Sequence, residues 1–307
     1  MESSLNTSTA QSLSELTRTQ LERMSYIDFR LYFLGELRRV DVMTRFGIAP
    51  AGATRDIAQY RELAPRNLFL DSSKVYRPNE GFSPLFEHSP QRVLTALSQG
   101  FGEGVADQSQ SLIRCELPAF LTQPSMSVLA PITRAINLGK AVRLGYTSIE
   151  SGRTERDIVP LALVTNAVRW HVRAFDRKHH DFRDFVLSRM DSPVVLDGDV
   201  SRDETFESDV QWSRVIELEL VPHPRHPRPE VVKMDYNMPD GVLRVKVRAA
   251  HAGYLLRLWA VDCSPNHVLG EREFSLWLRD PLTLYGSSTA MLAPGYVAPQ
   301  LAGGTKQ

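Results

Sequence analysis

The spacing of apolar residues changes along this chain from a helical period to a period of two, and this change restricts what the chain can fold into. Between residues 20 and 38, apolar side chains recur every three or four positions, which is typical of one face of a long amphipathic helix. From residue 141 onward, apolar and polar residues alternate over short segments, as they do in half-buried strands. A single sheet or a single helical bundle satisfies only one of these patterns. The sequence therefore predicts a multidomain α+β protein.

Helix boundary signals follow one another closely in the N-terminal part. Thr19 and Glu22 have the spacing of a capping box, which predicts the start of the first helix. Asp41 is expected to cap a short second helix that ends at Gly47. Pro50 suits the first turn of a third helix, which is expected to run to about residue 63. Two of these three helices are short and closely connected, as in a helix-turn-helix.

A hairpin signal follows the third helix. Residues 68–70 and 75–77 are strand-like and enclose the turn sequence Asp-Ser-Ser-Lys. Three helices followed by a β-ribbon is the order of a winged helix-turn-helix domain, in which the third helix reads DNA. The first part of the chain is therefore predicted to bind DNA.

The third helix and the wing supply the candidate DNA contacts. Arg55 and Gln59 have side chains that reach base edges in a major groove, and Thr54 can bind a phosphate. Lys74, at the tip of the hairpin, can contact the DNA backbone or the neighbouring minor groove. The candidate DNA-binding residues are Ala51, Thr54, Arg55, Gln59 and Lys74. The alternative interpretation is a solvated helix face and an ordinary turn.

The rest of the chain divides into a connector, a strand-rich region and a mixed region. Residues 78–130 are rich in Pro, Gly, Ser and Gln and are interpreted as a connector with a helical patch near residues 92–97. Strands are expected at residues 141–148, 155–164, 168–175 and 182–190, which predict a small antiparallel sheet or barrel. After about residue 210, strands at 215–221 and 242–249 and helices at 229–235 and 251–262 predict an α+β unit.

The strand at residues 168–175 separates its side chains into an apolar face and a basic face. Trp170 and Val172 lie on the face expected to join the core. Arg169, His171 and Arg173 lie on the other face, which is a suitable platform for a phosphate or another anion. A solvated sheet face with surface arginines is the alternative interpretation.

Composition limits the class of protein. Hydrophobic residues make up 42% and charged residues 23% of the 307 residues, the balance of a globular protein that folds by itself. No stretch approaches the roughly 18 to 20 apolar residues of a membrane span, so a cytoplasmic protein is expected. Two cysteines, Cys115 and Cys263, offer neither a disulfide framework nor a Cys-rich zinc site.

Charge of opposite sign is segregated along the chain. The formal net charge is zero, with 36 basic and 36 acidic residues. Residues 18–66 nevertheless carry nine arginines against six acids, giving +3, whereas residues 191–220 carry nine acids against two arginines, giving −7. DNA binding is therefore expected from a local patch at the N-terminal end.

Three segments resemble a WYL domain. They are Ser151-Gly152-x-x-x-Arg156-x-Ile158-x-Pro160-Leu161, Arg169-Trp170-His171-Val172-Arg173-Ala174-Phe175-Asp176 and Phe182-Arg183-Asp184-Phe185-Val186-Leu187-Ser188-Arg189-Met190. Trp170, His171 and Val172 stand at the Trp-Tyr-Leu positions that name the family, and the last two depart from those letters. The segments 53–57 and 60–65 are similar to the winged helix of BrxR- and CapW-like WYL regulators, which lie beside BREX and CBASS phage-defence loci.

The resemblance covers nearly the whole chain and implies a domain order. It implies a winged helix over residues 1–95, a connector over 96–130, a WYL domain with a small Sm-like or SH3-like barrel over 131–205, and a C-terminal extension for dimerisation or regulation over 206–295. It also implies a homodimeric repressor that binds a palindromic double-stranded operator and controls a phage-defence operon. An accessory module that binds nucleic acid or a ligand without operator specificity is the alternative.

The resemblance further implies an effector site on the WYL domain for an anionic nucleotide or nucleic acid. The effector positions that it assigns are Tyr146, Ser148, His171, Arg173, Ser188 and Arg189. An enzyme is not expected, since no Walker A loop, dinucleotide-binding turn or nucleophile elbow is present. No cofactor, metal ligand or catalytic residue is expected, because His179, His180 and Asp181 are adjacent in a turn and have no second ligand cluster.

Overall fold

The computed structural model describes residues 13–101, 111–118, 121–270 and 272–299. The chain divides into two compact units, residues 1–117 and residues 118–307, and each is described by itself. Helices and strands occur in both units, which confirms the predicted multidomain α+β class. No helix in the described part of the chain is long and apolar enough to cross a membrane.

The first unit has the predicted order of three helices and a wing. Its elements are α1 (Arg18–Phe29), a π-helical turn (Arg30–Leu34), α2 (Arg39–Phe46), α3 (Pro50–Leu63), β1 (Leu68–Leu70), β2 (Tyr76–Pro78) and α4 (Pro90–Gln99). Pro50 is the first residue of α3, and Gly47 ends α2 with φ of 61°, both as predicted. The strands pair antiparallel, and an isolated bridge from Leu37 to Tyr76 adds a third short segment to the wing.

Two predicted helix caps are wrong. Thr17, rather than Thr19, caps α1, and it forms the capping box with Gln20. Arg38 precedes α2, and Asp41 lies inside its first turn, where its carboxylate accepts a hydrogen bond of 2.6 Å from the Arg38 backbone N–H. Thr19 stands two positions from the cap of α1, since two threonines near this helix start compete for the same role. Asp41 stands three positions from Arg38, because an acid in the first turn gives the same sequence signal as an acid at the cap.

A buried carboxylate connects the helices of the first unit. Asp28 of α1 is fully buried and accepts a hydrogen bond of 2.6 Å from the Tyr60 hydroxyl of α3 and one of 3.0 Å from the Leu85 N–H. His88 lies 3.0 Å from the same carboxylate. Burial and the Asp28 charge raise the pKa of Tyr60, so its hydroxyl stays protonated and donates. These bonds fix α3 relative to α1.

The second unit begins with a curved antiparallel sheet. Its elements are α5 (Met126–Leu138), β3 (Val142–Ser148), β4 (Gly152–Thr165), β5 (Trp170–Asp176), β6 (Asp181–Val186), a 3-10 turn (Leu187–Arg189) and β7 (Met190–Val195). The strand order is β6-β5-β4-β3-β7, and α5 packs against the apolar core of the sheet. The single strand predicted for residues 182–190 is wrong, because the 3-10 turn interrupts it and redirects the chain into β7.

A second sheet forms the C-terminal part of this unit. Its elements are α6 (Val210–Ser213), β8 (Val215–Pro222), α7 (Pro229–Asp235), β9 (Leu243–Arg248), α8 (Ala249–Leu258), β10 (Val261–Asp262) and β11 (Leu276–Leu278). The strand order is β10-β11-β8-β9. Leu218, Leu220 and Leu256 are fully buried in its core, so α8 covers one face of the sheet.

Candidate functional sites

The outer face of α3 presents three of the predicted DNA-binding residues. Ala51, Thr54 and Arg55 are exposed, and Gln59 is half-buried. The Thr54 hydroxyl donates a 2.9 Å hydrogen bond to the Pro50 carbonyl, which leaves its oxygen as an acceptor. Inward-facing residues of the same helix, such as Ile57, lie in the core. The helix is thus anchored on one side and open on the other.

The tip of the wing carries Lys74, the last of the predicted DNA-binding residues. Lys74 is exposed, and its backbone has a φ of 59°. The turn is held by Asp71, whose carboxylate accepts hydrogen bonds from the Ser73 and Val75 N–H groups. Arg77 then bridges Asp71 and Glu36 with distances of 3.2 and 3.1 Å. The wing is therefore a preorganised turn with a cation at its tip.

A cleft of about 470 Å³ lies beside the outer face of α3. Its lining residues are Gln20, Arg23, Ile48, Gly52, Arg55, Asp56, Ala58, Gln59 and Glu62. At its base, Arg23 Nε and Asp56 Oδ2 lie 2.8 Å apart, and both side chains are largely buried. This pair connects α1 to α3 and leaves Arg55 and Gln59 on the rim of the cleft, where polar groups are accessible to a large ligand.

The predicted basic face of β5 is not an open platform, and this part of the prediction is corrected. The alternation is as predicted for Val172 and Ala174, which lie in the core of the sheet, and for His171 and Arg173 on the opposite face. The prediction for Trp170 is wrong, because this first residue of β5 lies outside the core and is 36% exposed. That opposite face is covered, however, and His171 and Arg173 are 5% and 3% exposed. Helix α8 accounts for part of the cover, because the Tyr254 ring lies 5.4 Å from the His171 ring.

Arg173 uses its guanidinium to hold neighbouring segments. Its Nε and Nη2 donate to the two carboxylate oxygens of Asp209 at 2.7 and 3.0 Å, and its Nη1 donates to Asp184 at 3.3 Å. Burial raises the pKa of Asp184, and the nearby Arg173 charge opposes that shift. Tyr254 also donates to Asp184, and burial raises the pKa of its hydroxyl. Arg173 therefore fastens the segment before β8 to the sheet.

Arg169 and Arg189 differ from the other arginines of the sheet. In the part of the chain that the structure describes, both are half-buried, and neither has a carboxylate partner. The arginines of β3 to β6 and the following turn that pair with carboxylates are Arg143, Arg153, Arg156, Arg173, Arg177 and Arg183. A half-buried guanidinium that has no carboxylate partner favours the binding of an anion from solution.

His171 lies close enough to these two arginines for their charges to act on it. Burial lowers the pKa of His171 to about 4, and the charges of Arg169, His251 and Arg189 contribute to the shift. Its Nδ1 is buried and has no hydrogen-bond partner among the described residues. A neutral imidazole with an unused nitrogen, flanked by unpaired guanidiniums, is suited to bind an anion that also carries hydrogen-bonding groups. We refer to Arg169, His171 and Arg189 as the anion site.

The other predicted effector residues lie at different distances from the anion site. Tyr146 lies in the core of the sheet, and its hydroxyl accepts a 3.3 Å hydrogen bond from the Val186 N–H. Ser188 is exposed and adjoins Arg189 in the 3-10 turn. Ser148 pairs with Gly152 at one end of β4, whereas His171 pairs with Val164 near its other end. The structure therefore brings Ser188 to the anion site and leaves Ser148 apart from it.

The residues weighed as metal ligands make structural contacts. His179 Nδ1 lies 2.6 Å from the Asp176 carboxylate and 3.0 Å from Arg156 Nη1. Cys263 is buried in the C-terminal core, and burial raises the pKa of its thiol. Within residues 13–101, 111–118, 121–270 and 272–299, no group of three or more His, Cys, Asp or Glu residues is arranged to hold a metal ion.

Three family models match the chain in consecutive segments. The BrxR transcriptional regulator winged helix-turn-helix domain matches residues 19–99, the WYL domain matches residues 127–195, and the BrxR transcriptional regulator C-terminal dimerization domain matches residues 215–284. The winged helix and WYL assignments of the sequence analysis are thereby confirmed.

Relatives named as transcriptional repressors match most of the chain. The DNA-binding transcriptional repressor CapW of Escherichia coli (strain KTE188) is 32% identical over 249 residues, which cover 77% of this chain and 81% of that protein. The chain belongs to the CapW family. CapW of Stenotrophomonas maltophilia is 29% identical and covers 85% of this chain and 93% of its own length. CapW of Pseudomonas aeruginosa is 32% identical, with coverages of 77% and 81%.

A solved structure matches this member of the CapW family less well. Proteasome accessory factor B/C (PafBC) of Arthrobacter aurescens is 21% identical and covers 89% of this chain and 47% of that chain, with a TM-score of 0.25. The chain spans about half the length of that structure. At this TM-score the match supports no structural argument.

Sequence reasoning missed the residues that the C-terminal part contributes to the site. Tyr254 of α8 and Asp209 before α6 lie far along the chain from the β5 residues that they contact, and His251 of α8 lies far from Thr165 of β4. Periodicity reveals which face of an element is buried, but it does not reveal which element covers that face. The one available signal was chemical: Arg173 on a strand otherwise rich in buried residues requires a carboxylate partner.

The pKa of His171 predicts a dependence of stability on pH. The pKa is about 4 in the folded protein and 6.5 for an unperturbed histidine, so the unfolded chain binds more protons between these values. Acidification from pH 6.5 to pH 4 is therefore expected to remove roughly 3 kcal/mol of stability through this residue. Urea unfolding at several pH values checks the effect, with His171→Gln as the comparison in which this contribution is absent. Equal losses in the two proteins contradict the prediction.

Proposed function

We propose that this protein is a dimeric, sequence-specific DNA-binding transcriptional repressor. The observation that carries the proposal is the exposed Arg55 guanidinium on the open face of α3, which has no carboxylate partner among the described residues and lies in the helix that reads DNA in winged helix domains. Thr54 and Gln59 flank it on the same helix, and Lys74 provides a second contact from the wing. The repressors among its relatives support the same function.

The dimer supplies the second half of the DNA interface. The segment at residues 215–284 matches a family model for a dimerization domain, and the dimer is part of the proposal for this chain. A symmetric dimer presents two α3 helices and matches a palindromic operator with two half-sites. Because the formal net charge is zero, two local patches acting together are needed for tight binding.

We propose that an anionic nucleotide or nucleic acid relieves repression of a phage-defence operon by binding the WYL domain. Ser188 is exposed and Arg169 and Arg189 are half-buried, so these side chains can contact a phosphate directly, and the charges of both arginines act on the buried His171. Tyr146 and Arg173 support the site from within the fold, and Ser148 lies outside it. Two guanidiniums without carboxylate partners donate hydrogen bonds and carry positive charge, which supports a negatively charged effector.

Relief of repression requires coupling between the anion site and the DNA-binding surface. An effector changes operator affinity only if it binds one dimer arrangement more tightly than the other. The effector is proposed to favour an arrangement in which the spacing of the two α3 helices no longer matches the operator half-sites. Operator affinity and effector affinity are then reciprocally linked.

Replacing Arg189 by glutamine is expected to block derepression and to leave repression intact. The change removes one guanidinium of the anion site, which lowers effector affinity by about tenfold or more, since a charge-assisted hydrogen bond contributes about 1.5 to 3 kcal/mol. A reporter gene fused to the promoter in phage-challenged cells measures both states. Arg134→Gln, an exposed arginine of α5 without a carboxylate partner among the described residues, is the matched control.

The same assays distinguish the proposal from its alternative. Normal derepression by Arg189→Gln would remove that residue from the effector site. Equal, salt-sensitive affinity of the wild-type protein for promoter DNA and random DNA would instead support an accessory nucleic-acid-binding module without operator specificity.

A further inference from the structure

Helix α8 of the C-terminal domain packs on the anion site of the WYL domain. Its first turn carries His251, whose Nε2 lies 3.0 Å from the Thr165 carbonyl of β4. One turn further, the Tyr254 ring lies 5.4 Å from the His171 ring and 5.9 Å from the His251 ring. This helix therefore meets β4 through His251 and β5 through Tyr254.

The same helix is firmly part of the C-terminal domain. Leu256 is fully buried in the C-terminal core, and the Gly253 N–H donates to the Thr289 hydroxyl at 3.1 Å. Gly253 also lies so close to the Thr289 backbone that any larger residue would overlap it. A displacement of α8 relative to the sheet is thus a displacement of the C-terminal domain relative to the WYL domain.

His251 has the chemistry of an anion ligand. A carbonyl oxygen only accepts, so Nε2 of His251 carries the proton and donates to Thr165. Its Nδ1 has no partner among the residues that the structure describes, and it donates to an anion when the imidazole is in its protonated, charged form. The imidazole is close enough to His171 for its charge to lower the pKa of that residue. His251 also occupies the first turn of α8, where the helix dipole favours negative charge.

The carboxylate nearest to this group, Asp184, is already engaged by other side chains, although the charge of His251 lowers its pKa. Asp184 is the acid nearest to Tyr254, and it already accepts from Arg173 and from the Tyr254 hydroxyl. The groups whose charge acts on His171 are all basic, namely Arg169, His251 and Arg189. Basic side chains from two domains thus act on His171, and the carboxylate on which the charge of His251 acts, Asp184, is already paired with Arg173.

We propose that the anion site is shared between the two domains, with His251 of the C-terminal domain as a direct ligand of a phosphate-bearing effector and Tyr254 as a wall of the site. This inference rests on the proposed effector function of the WYL domain and extends it to a residue outside the WYL match. A ligand that contacts Arg169 and Arg189 on one side and His251 on the other binds one placement of α8 better than any other. The C-terminal domain then responds to the effector directly.

A charge series at His251 tests the proposal in the full-length protein. Inorganic pyrophosphate serves as the probe, and its affinity is measured by titration calorimetry. Every variant also carries Arg55→Ala, so that the DNA-binding face contributes less to the measured pyrophosphate binding. His251→Gln is expected to weaken pyrophosphate binding about tenfold, and His251→Glu more strongly. His251→Arg restores the cation and is expected to bind within about twofold of the parent. His226→Gln, in the segment between β8 and α7, is the matched control.

The outcomes separate this proposal from the proposed effector site. Equal weakening by all three His251 variants indicates a structural role and overturns the shared site. Binding that depends on Arg189 but not on His251 also overturns it, while the effector site of the WYL domain stands. Absence of pyrophosphate binding by the parent protein overturns both. A graded order of Arg, Gln and Glu with an unchanged His226 variant supports the proposal.

Discussion

Replacing Arg55 by alanine is expected to abolish specific operator binding while the dimer stays intact. A bidentate contact from arginine to guanine contributes about 1 to 3 kcal/mol of discrimination, and a dimer makes the contact twice. The loss for the dimer is therefore roughly 2 to 6 kcal/mol, which is enough to bring the operator close to non-specific DNA. Gel-shift titrations with operator and random DNA measure the ratio, and analytical ultracentrifugation measures the dimer.

The control for Arg55 lies in the other unit of the chain. Arg134→Ala removes an exposed cation of α5 and is expected to leave the ratio between operator and random DNA unchanged. Since Arg55 is exposed and has no partner among the described residues, its removal leaves no buried group unpaired, and the fold is expected to keep its stability. A specific gel shift that persists in Arg55→Ala removes α3 from the recognition role.

Replacing Arg173 by methionine is expected to cost about 3 to 5 kcal/mol of stability, because it leaves buried carboxylates without their cation. Asp209 and Asp184 are 1% and 10% exposed, and the first of them loses both of its hydrogen bonds from the guanidinium. The segment before β8 then loses its main attachment to β5. Chemical unfolding followed by circular dichroism measures the change.

A second arginine pair provides the comparison for Arg173. Arg177 makes an equally short bidentate contact to Glu204, at 2.6 and 2.7 Å, but its side chain is 31% exposed. Solvent screens that pair, so Arg177→Met is expected to cost only about 1 kcal/mol or less. Similar losses in the two variants would show that burial does not govern the strength of the Arg173 contact.

Much of the fold could be predicted from local sequence. Pro50 marks the start of α3 and Gly47 marks the end of α2. Proline restricts φ and glycine permits positive φ at any position in a chain, so both signals can be identified from sequence. The alternation in β5 placed Val172 and Ala174 in the core, as observed, because a strand has a fixed period of two. The exposed face of α3 followed from helical spacing in the same way.

Other features depended on contacts between distant segments. The break that creates β7 lies in an apolar stretch with no glycine or proline at the turn, so periodicity extended one strand through it. The split of the predicted effector residues is a further example. Tyr146 and Ser148 share one face of β3, yet the Tyr146 hydroxyl accepts from Val186, the strand partner of His171, whereas Ser148 pairs with Gly152 at the opposite end of β4 from the Val164 partner of His171.

The order of domains, the helix predicted to read DNA and the basic character of one face of β5 all follow from local sequence, since each depends on composition and period over a few residues. Which of those basic residues lack an acid beside them depends on the tertiary structure. Arg173 is neutralised by Asp209 and Asp184, whereas Arg169 and Arg189 have no acid beside them in the described structure. A charge is free or paired according to what packs against it, and that neighbour comes from a part of the chain that local pattern does not identify.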